Sequence, residues 1–193
     1  MGLIGIDEVG RGAWSGPVVA CSILLKKDFE KHKCYQQIAD SKKISKKVRF
    51  FLSGLLKQNS VYNFGKSDSI EIDKLGILKA TELAMRRSFR PFEELEDQVR
   101  IDGEEFFWLN SNTKFVIKGD EKLKVISAAS ILAKVFRDQL MERLSFKYPF
   151  YGWEKNCGYG TKQHKMALEK YGITSQHRKT FKPVKLITNN LNR

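Results

Sequence analysis

The 193-residue sequence has few cysteines and histidines, and this scarcity limits its chemistry. Cys21, Cys34 and Cys157 are widely spaced and form no CxxC pair, which argues against a disulfide framework or a zinc ribbon. The three histidines form no HExxH motif. Any metal must therefore be held by oxygen ligands. The odd, scattered cysteines suit a reducing compartment, which predicts a cytoplasmic protein.

Long apolar runs are also missing. No stretch approaches the ~18 consecutive apolar residues that a membrane span needs, and the acidic residue at position 7 argues against a signal peptide. The chain contains no internal repeat and no low-complexity segment. Its length predicts one compact unit. We expect no membrane association and a monomer.

Acidic residues are outnumbered by basic ones. The chain has 35 Lys and Arg against 22 Asp and Glu, a formal net charge of +13. Such an excess favours a polyanionic partner, nucleic acid first and an anionic membrane surface second. Residues 26–57 and 151–193 are strongly basic, whereas 93–105 is acidic. Each basic stretch alone fits a solvated face; together they suggest a basic rim around an acidic site.

Apolar patterning predicts a mixed α/β sheet. Short strands are expected at residues 2–8, 17–25, 61–65, 99–101 and 114–117, the early ones antiparallel and the later ones parallel. A helical pattern starts at Ser69, where Asp68 and Glu71 form a capping box. A long helix is expected over 122–147, with small residues that would let it pack closely on the sheet. Two shorter helices are expected at 162–171 and 175–180.

Three of the predicted strands end in acidic residues: Asp7 and Glu8, then Asp102, then Asp120. Functional groups gather at the carboxyl ends of parallel strands, and neighbouring strands lie about 4.8 Å apart. Converging carboxylates repel each other unless a cation lies between them. Oxygen ligands favour Mg²⁺ or Mn²⁺, and two such ions can promote phosphodiester cleavage. The alternative is that Asp102 and Asp120 are ordinary turn or capping acids.

Six motifs in chain order resemble the ribonuclease HII family, from about residue 2 to residue 183. The motifs are residues 5–12 (GIDEVGRG) with Gly16-Pro17; 40–43 (DSKK); 101–103 (IDG); 118–120 (KGD) with 128–135 (AASILAKV) and Arg137-Asp138; 158–161 (GYGT) with His164; and His177-Arg178 with Phe181 and Pro183. Arg11 in the first motif favours this family over the related ribonuclease HIII.

The resemblance implies a ribonuclease H-like mixed sheet flanked by helices, with a catalytic core at 1–150 and a small helical C-terminal extension at 151–193. It implies an endonuclease that hydrolyses the RNA strand of RNA/DNA hybrids. It also implies nicking 5′ of single ribonucleotides embedded in duplex DNA, leaving 5′-phosphate and 3′-hydroxyl ends. Asp7, Glu8, Asp102 and Asp120 would be the catalytic metal ligands, with two Mg²⁺ or Mn²⁺ ions when substrate is bound. The tail after Pro183 has no obvious clamp-binding motif, so no protein partner is predicted.

The resemblance also assigns substrate-binding residues. Gly10, Arg11 and Gly12 would bracket the ribose and its phosphates, because glycines permit close backbone approach and the 2′-hydroxyl distinguishes RNA from DNA. Tyr159 would pack on the deoxyribose 3′ to the ribonucleotide. The remaining candidates are phosphate contacts: Lys42, Lys43, Lys46 and His164.

Each of these assignments has a simpler alternative. The glycines fit a tight turn, Tyr159 fits a loop or core tyrosine, and each lysine fits a solvated side chain. His164 fits a structural hydrogen bond equally well. Asp138 lies in the long helix and is expected to pair with Arg137 or a neighbour such as Lys134 rather than with metal. The Glu104-Glu105 pair after the third acid departs from the family pattern and questions the geometry of that loop.

Two rival functions remain open from the sequence. A non-catalytic nucleic-acid binder explains the positive charge but not the acids at three strand ends. A different metal nuclease, such as a junction resolvase, explains the acids but not the glycine motif with Tyr159.

Overall fold

Five strands form a mixed sheet in the computed structural model, which describes residues 2–39, 41 and 43–191. The strands are β1 (Leu3–Val9), β2 (Val18–Leu25), β3 (Ser60–Ser67), β4 (Gln98–Asp102) and β5 (Thr113–Val116). Their order in the sheet is β3-β2-β1-β4-β5. β1, β2 and β3 pair antiparallel, whereas β4 pairs parallel with both β1 and β5. The predicted mixed sheet, with early antiparallel and later parallel strands, is confirmed.

Helices cover both faces of the sheet. They are α1 (Lys46–Gln58), α2 (Ser69–Leu75), α3 (Ile77–Phe89), α4 (Gly119–Lys122), α5 (Lys124–Lys147), α6 (Trp153–Asn156), α7 (Lys162–Tyr171) and α8 (Lys182–Leu191). The capping box at Asp68 and Glu71 is present. The long helix is interrupted at Leu123, whose extended backbone separates α4 from α5.

The predicted helix over residues 175–180 is wrong. His177 forms an isolated β-bridge with Ser15, and the backbone amide of Arg178 donates to the carbonyl oxygen of Trp14 at 2.9 Å. These long-range bonds use backbone groups that a helix would pair internally. The segment is therefore a turn attached to the chain near the first motif, and the last helix begins at Lys182.

Two apolar layers enclose the sheet, one on each face. On one face α5 packs directly on β1, with its small residues buried as the sequence predicts. A Cβ atom at Gly5 would lie 2.4 Å from the backbone oxygen of Val125, so only glycine permits this approach. On the other face α3 and Phe92 cover Ile4 and Ile6.

A third, smaller apolar cluster joins the C-terminal segment to the end of α5. Met141, Trp153, Leu168 and Val184 are buried in it, and Trp14 packs against it. The cluster brings the loop after α6 close to the segment that follows β1. Across the described part of the chain, no helix combines the length and apolar character needed to span a membrane.

Candidate active site

The sheet register brings the strand-end acids together. Ile6 of β1 pairs with Ile101 of β4, so Asp7 and Asp102 follow at the same level on neighbouring parallel strands. Asp120 lies in α4, directly after β5. Carboxylate oxygens of Asp7, Asp102 and Asp120 all lie within 4.8 Å of one another. The convergence expected from the strand ends is therefore present for these three acids.

Backbone amides hold Asp102 in this cluster. Its Oδ1 accepts from the amide of Gly119 at 2.6 Å, and the amide of Gly103 donates to the carbonyl of Val116 at 3.1 Å. The unusual Glu104-Glu105 pair is exposed, while the next residues turn inward and Phe107 is buried. The departure from the family pattern therefore leaves the position of Asp102 intact.

The cluster concentrates negative charge in a poorly solvated place. Asp7 is only 4% exposed. Burial raises its pKa well above the usual value, the neighbouring charges of Glu8 and Asp102 raise it further, and a hydrogen bond from Ser130 opposes the rise. Burial also raises the pKa of Glu8, against the opposing charge of Arg11, whose guanidinium lies 3.5 Å away. The site gains stability when a positive charge enters it.

These residues fit a divalent cation. The three clustered ligand groups are all carboxylates, the donors that hard cations prefer, and Glu8 lines the same cleft. A bound cation would stabilise charge on a phosphodiester and lower the pKa of a bound water. The chain itself supplies the fixed carboxylate geometry and a partly enclosed cleft of about 370 Å³.

The cleft also has a wall that carries Tyr159. The residues that line the whole cleft are Asp7, Glu8, Val9, Ser41, Asp102, Asp120, Ser130, Lys134 and Tyr159. Tyr159 is 37% exposed, and its Cε1 would lie 3.9 Å from a Cβ atom placed on Gly12. The tyrosine ring and the glycine motif therefore form one continuous surface beside the carboxylates.

A buried arginine fixes this wall from beneath. Arg137 of α5 donates to the backbone oxygens of Ser15, Pro17 and Cys157 at 2.8–3.2 Å. Its guanidinium carbon lies 5.6 Å from the centre of the Tyr159 ring, within the range of a cation–π contact. Gly10 has a φ of 94°, and a Cβ there would lie 2.2 Å from Arg137 Nε. The first glycine of the motif is thus required by both conformation and space.

Arg178 is a second buried arginine clamp: like Arg137, its guanidinium holds the chain by hydrogen bonds to several backbone carbonyls. It donates to the carbonyl of Arg11 at 2.8 Å and twice to that of Gly16, at 2.9 and 3.1 Å. The segment from Arg11 to Pro17 is therefore held by guanidinium groups from distant parts of the chain. The sequence interpretation offered Arg137 only as one of two ion-pair partners of Asp138, a place that Lys134 takes, and gave Arg178 no role of its own. Arg137 lies on the same helical face as Ser130, Ala133 and Met141, and this spacing is the signal that it points inward.

The lysine candidates differ in their surroundings. Lys42 lies outside the described residues. Lys43 forms an ion pair of 3.1 Å with Glu121, next to Asp120 on α4. Lys46 is exposed at the first turn of α1. Asp138 pairs with Lys134 at 2.7 Å, as the sequence predicts.

His164 does not reach the cleft surface. Its side chain is 0% exposed, and its Nδ1 lies 2.9 Å from the carbonyl oxygen of Tyr159. The expectation that it contacts a substrate phosphate is therefore replaced by the structural alternative. Its ring packs against Trp14 and Trp153, because α7 turns this face toward the C-terminal apolar cluster.

The clustered aspartates fit a metal-dependent hydrolase, and the mixed sheet with its flanking helices has the ribonuclease H-like fold. The family model described as ribonuclease HII matches residues 4–184. The chain therefore belongs to the ribonuclease HII family. It is an endoribonuclease that acts on RNA/DNA hybrids and depends on a divalent metal.

Known relatives agree with this assignment. A ribonuclease HII from Staphylococcus epidermidis is 45% identical over 184 residues, covering 95% of this chain and 70% of that protein. Another from Pelagibacter ubique is 43% identical, covering 94% of this chain and 96% of that protein. The solved ribonuclease H2 from Pyrococcus horikoshii shares the fold, with a TM-score of 0.81, 24% identity and full coverage of both chains.

Proposed function

We propose that this enzyme nicks duplex DNA on the 5′ side of a single embedded ribonucleotide, in addition to cutting RNA/DNA hybrids. Asp7, Glu8, Asp102 and Asp120 hold Mg²⁺ or Mn²⁺, with two ions when substrate is bound. Cleavage leaves a 3′-hydroxyl on the upstream strand and a 5′-phosphate on the ribonucleotide. The proposal rests on the family membership and on the composition of the cleft.

The observation that carries the proposal is the shared cleft of acids, glycines and tyrosine. Tyr159 lies beside Gly12 and lines the same cleft as the carboxylates. A sugar bracketed by Gly10, Arg11 and Gly12 presents its 2′-hydroxyl to backbone groups, which bind it as donor or acceptor. The sugar on its 3′ side then packs against the tyrosine ring. A hydroxyl on that second sugar would lose water against an apolar face, so the site favours deoxyribose there.

The surrounding positive charge supplies binding without sequence preference. Lys42, Lys43 and Lys46 belong to one basic stretch, and the C-terminal segment 151–193 supplies the other. Phosphate contacts of this kind position a duplex but read no bases. All proposed contacts come from one polypeptide, so the proposal requires neither a second copy nor a protein partner. The extension at 151–193 acts as the substrate-binding part of the molecule.

A single end-labelled duplex tests the proposal. The substrate carries one ribonucleotide in otherwise all-DNA strands, and the same sequence without the ribonucleotide is the control. We expect one nick, mapped to the 5′ side of the ribonucleotide, with Mg²⁺ or Mn²⁺ and none with chelator. Cutting of the RNA/DNA hybrid but not of this duplex would overturn the proposal. Cutting of an all-DNA four-way junction would favour a junction resolvase instead.

A further inference from the structure

Two buried histidines lie directly behind Tyr159. His164 is on α7 and His177 is in the turn that follows it; they are 0% and 1% exposed. Their Nε2 atoms are 3.0 Å apart, and His164 Nδ1 is 2.9 Å from the carbonyl oxygen of Tyr159. An unbroken hydrogen-bonded path therefore runs from the turn through two imidazoles to the backbone of the tyrosine. Neither ring touches the cleft.

Groups with fixed hydrogen-bonding roles determine where the protons lie on this path. The backbone amide of Thr174 can only donate, and it lies 2.9 Å from His177 Nδ1. Thr174 Oγ1 lies 3.0 Å from the same Nδ1 and, as a hydroxyl, can donate to it as well. The amide thus places the proton of neutral His177 on Nε2, directed at His164 Nε2. The indole nitrogen of Trp153, also a donor only, lies 3.3 Å from that same His164 Nε2. His164 must then carry its proton on Nδ1.

The last bond is consistent with this assignment. The carbonyl of Tyr159 can only accept, and it faces the Nδ1 atom that the other bonds require to be protonated. In this arrangement of neutral rings, Trp153 and His177 share the single lone pair of His164 Nε2 as a three-centre hydrogen bond, and the other groups on the path are each paired. Burial lowers the pKa of His164, and burial together with His164 lowers the pKa of His177 to about 3. Both rings therefore stay neutral at physiological pH.

The same turn also reaches the glycine motif. Arg178, next to His177, donates to the carbonyl of Arg11 at 2.8 Å. Residues 174–178 thus hold both the tyrosine and the glycine motif. We propose that His177 and His164 are positioning residues that fix the Tyr159 backbone in register with the glycine motif, so that the ring meets the sugar next to the ribonucleotide. The expected effect on cleavage preference rests on the proposed function, whereas the hydrogen-bonded path through the two histidines does not.

Nitrogen NMR of the full-length, ¹⁵N-histidine-labelled protein tests the geometry without substrate. Long-range ¹H–¹⁵N spectra distinguish a ring protonated at Nδ1 from one protonated at Nε2. We expect His164 as the Nδ1–H tautomer and His177 as the Nε2–H tautomer at neutral pH. The signal of His32, whose Nδ1 accepts from the amide of Cys34, is identified by His32→Gln, and the spectrum of His164→Asn shows which of the other two signals belongs to His177. Reversed tautomers, or a charged ring at neutral pH, would contradict the proposed hydrogen-bonded path through His177 and His164.

Two substitutions at position 164 test the consequence. The amide nitrogen of asparagine falls near the imidazole Nδ1 position, whereas that of glutamine falls near Nε2. His164→Asn can therefore keep the bond to Tyr159, and His164→Gln loses it, although glutamine fills the space better. The readout is cleavage efficiency on the single-ribonucleotide duplex divided by that on the RNA/DNA hybrid. We expect a loss of about fivefold in this ratio for His164→Gln, the worth of one net hydrogen bond, and little change for His164→Asn.

The two tests separate the inference from the proposed function. If His164→Gln retains the ratio better than His164→Asn, or the two variants are equal, the ring acts by packing and the positioning role is wrong. Suppose that Tyr159→Ala leaves the ratio unchanged while the tautomers are as expected. Then the hydrogen-bonded path from His177 through His164 to Tyr159 is confirmed, and the proposed contact of the Tyr159 ring with the deoxyribose is wrong. Should either variant fail to fold, the tautomers of the wild-type protein still decide the geometry.

Discussion

The two walls of the cleft are built in different ways. The acidic wall follows from sheet pairing, because Asp7 and Asp102 each come directly after Ile6 and Ile101, the last residues that pair between the neighbouring parallel strands. The tyrosine wall has no such scaffold. It is held by side-chain hydrogen bonds from Arg137, Arg178 and His164 to backbone carbonyls. Sheet pairing thus positions the carboxylates. Hydrogen bonds from buried side chains position the surface that we propose contacts the sugar.

This difference has an energetic side. The carboxylates repel one another and gain from a cation, whereas the two buried guanidiniums form no ion pair within the described part of the chain and are compensated mainly by backbone carbonyls and by the aromatic rings of Tyr159 and Phe181. Burial lowers the pKa of Arg178 to about 9, and the nearby charge of Arg137 contributes. Charge-assisted bonds to several carbonyls offset this cost, and losing them leaves buried acceptors unpaired. We therefore expect damage to the acidic wall to stop catalysis and damage to the clamps to destabilise the fold.

The largest effect should come from Asp7→Asn. Removing one carboxylate from the cluster weakens cation binding, so cleavage of the RNA/DNA hybrid should fall by at least about a thousandfold, equivalent to several kcal/mol of lost stabilisation. Hybrid binding should be retained, because a negative charge has been removed from a surface that binds a polyanion. Cleavage rate and hybrid affinity are measured in parallel.

Asp138→Asn is the matched control for this prediction. Asp138 pairs with Lys134 and does not belong to the carboxylate cluster of the described residues. It should keep most of the cleavage rate. Near-normal cleavage by Asp7→Asn would remove that residue from the metal site.

The next largest effect is expected from Arg137→Met. The substitution keeps an apolar stem but removes three hydrogen bonds from a charged donor to backbone oxygens. We expect the free energy of unfolding to fall by about 3 kcal/mol. Urea denaturation with an unchanged m-value gives this quantity.

Arg143→Met tests whether the loss is specific to the clamp. Arg143 is exposed on the same helix, so its substitution should change stability by no more than about 0.5 kcal/mol. Equal losses for the two variants would mean that Arg137 contributes only as any helical arginine does.

A small effect is expected from Lys43→Ala. An exposed lysine that contacts one phosphate releases about one counterion, so the slope of log affinity against log salt should fall by no more than about one. Wild-type binding should itself be strongly salt-dependent. Lys79→Ala, on α3 outside both basic stretches, should leave the slope unchanged. A flat salt dependence of the wild-type protein would contradict the electrostatic account.

The acidic wall was predictable because its signal is local. An acid that directly follows a short apolar strand can be read from a few residues, and parallel strands bring such ends together. The exact pairing was supplied by tertiary structure: Ile6 opposite Ile101 cannot be read from either segment alone. The close approach of α5 to Gly5 was predictable in the same way, because the small residues of this helix mark the face that packs on the sheet.

The tyrosine wall was only partly predictable. The family resemblance marked Tyr159 and the glycine motif, but it did not reveal what supports them. Arg178 joins positions more than a hundred residues apart, and its partners are backbone carbonyls, which carry no side-chain signature. The same long-range bonding explains why a turn replaces the helix expected over 175–180. For His164 the sequence left a phosphate contact and a structural hydrogen bond open, because the burial of a histidine near a cleft cannot be read from its neighbours in the chain.

Tyr159→Ala tests most directly whether the acidic wall carries out cleavage while the tyrosine wall sets the preference for the sugar. Cleavage efficiency is determined on the single-ribonucleotide duplex and on the RNA/DNA hybrid, for wild type and variant, with Tyr171→Ala as an exposed tyrosine control on α7. We expect the preference for the RNA-to-DNA step to fall about tenfold, because a hydroxyl desolvated without a partner costs about 1–3 kcal/mol. Hybrid cleavage should persist, since Asp7, Asp102 and Asp120 are untouched. An unchanged ratio would contradict the account and make Tyr159 a structural residue.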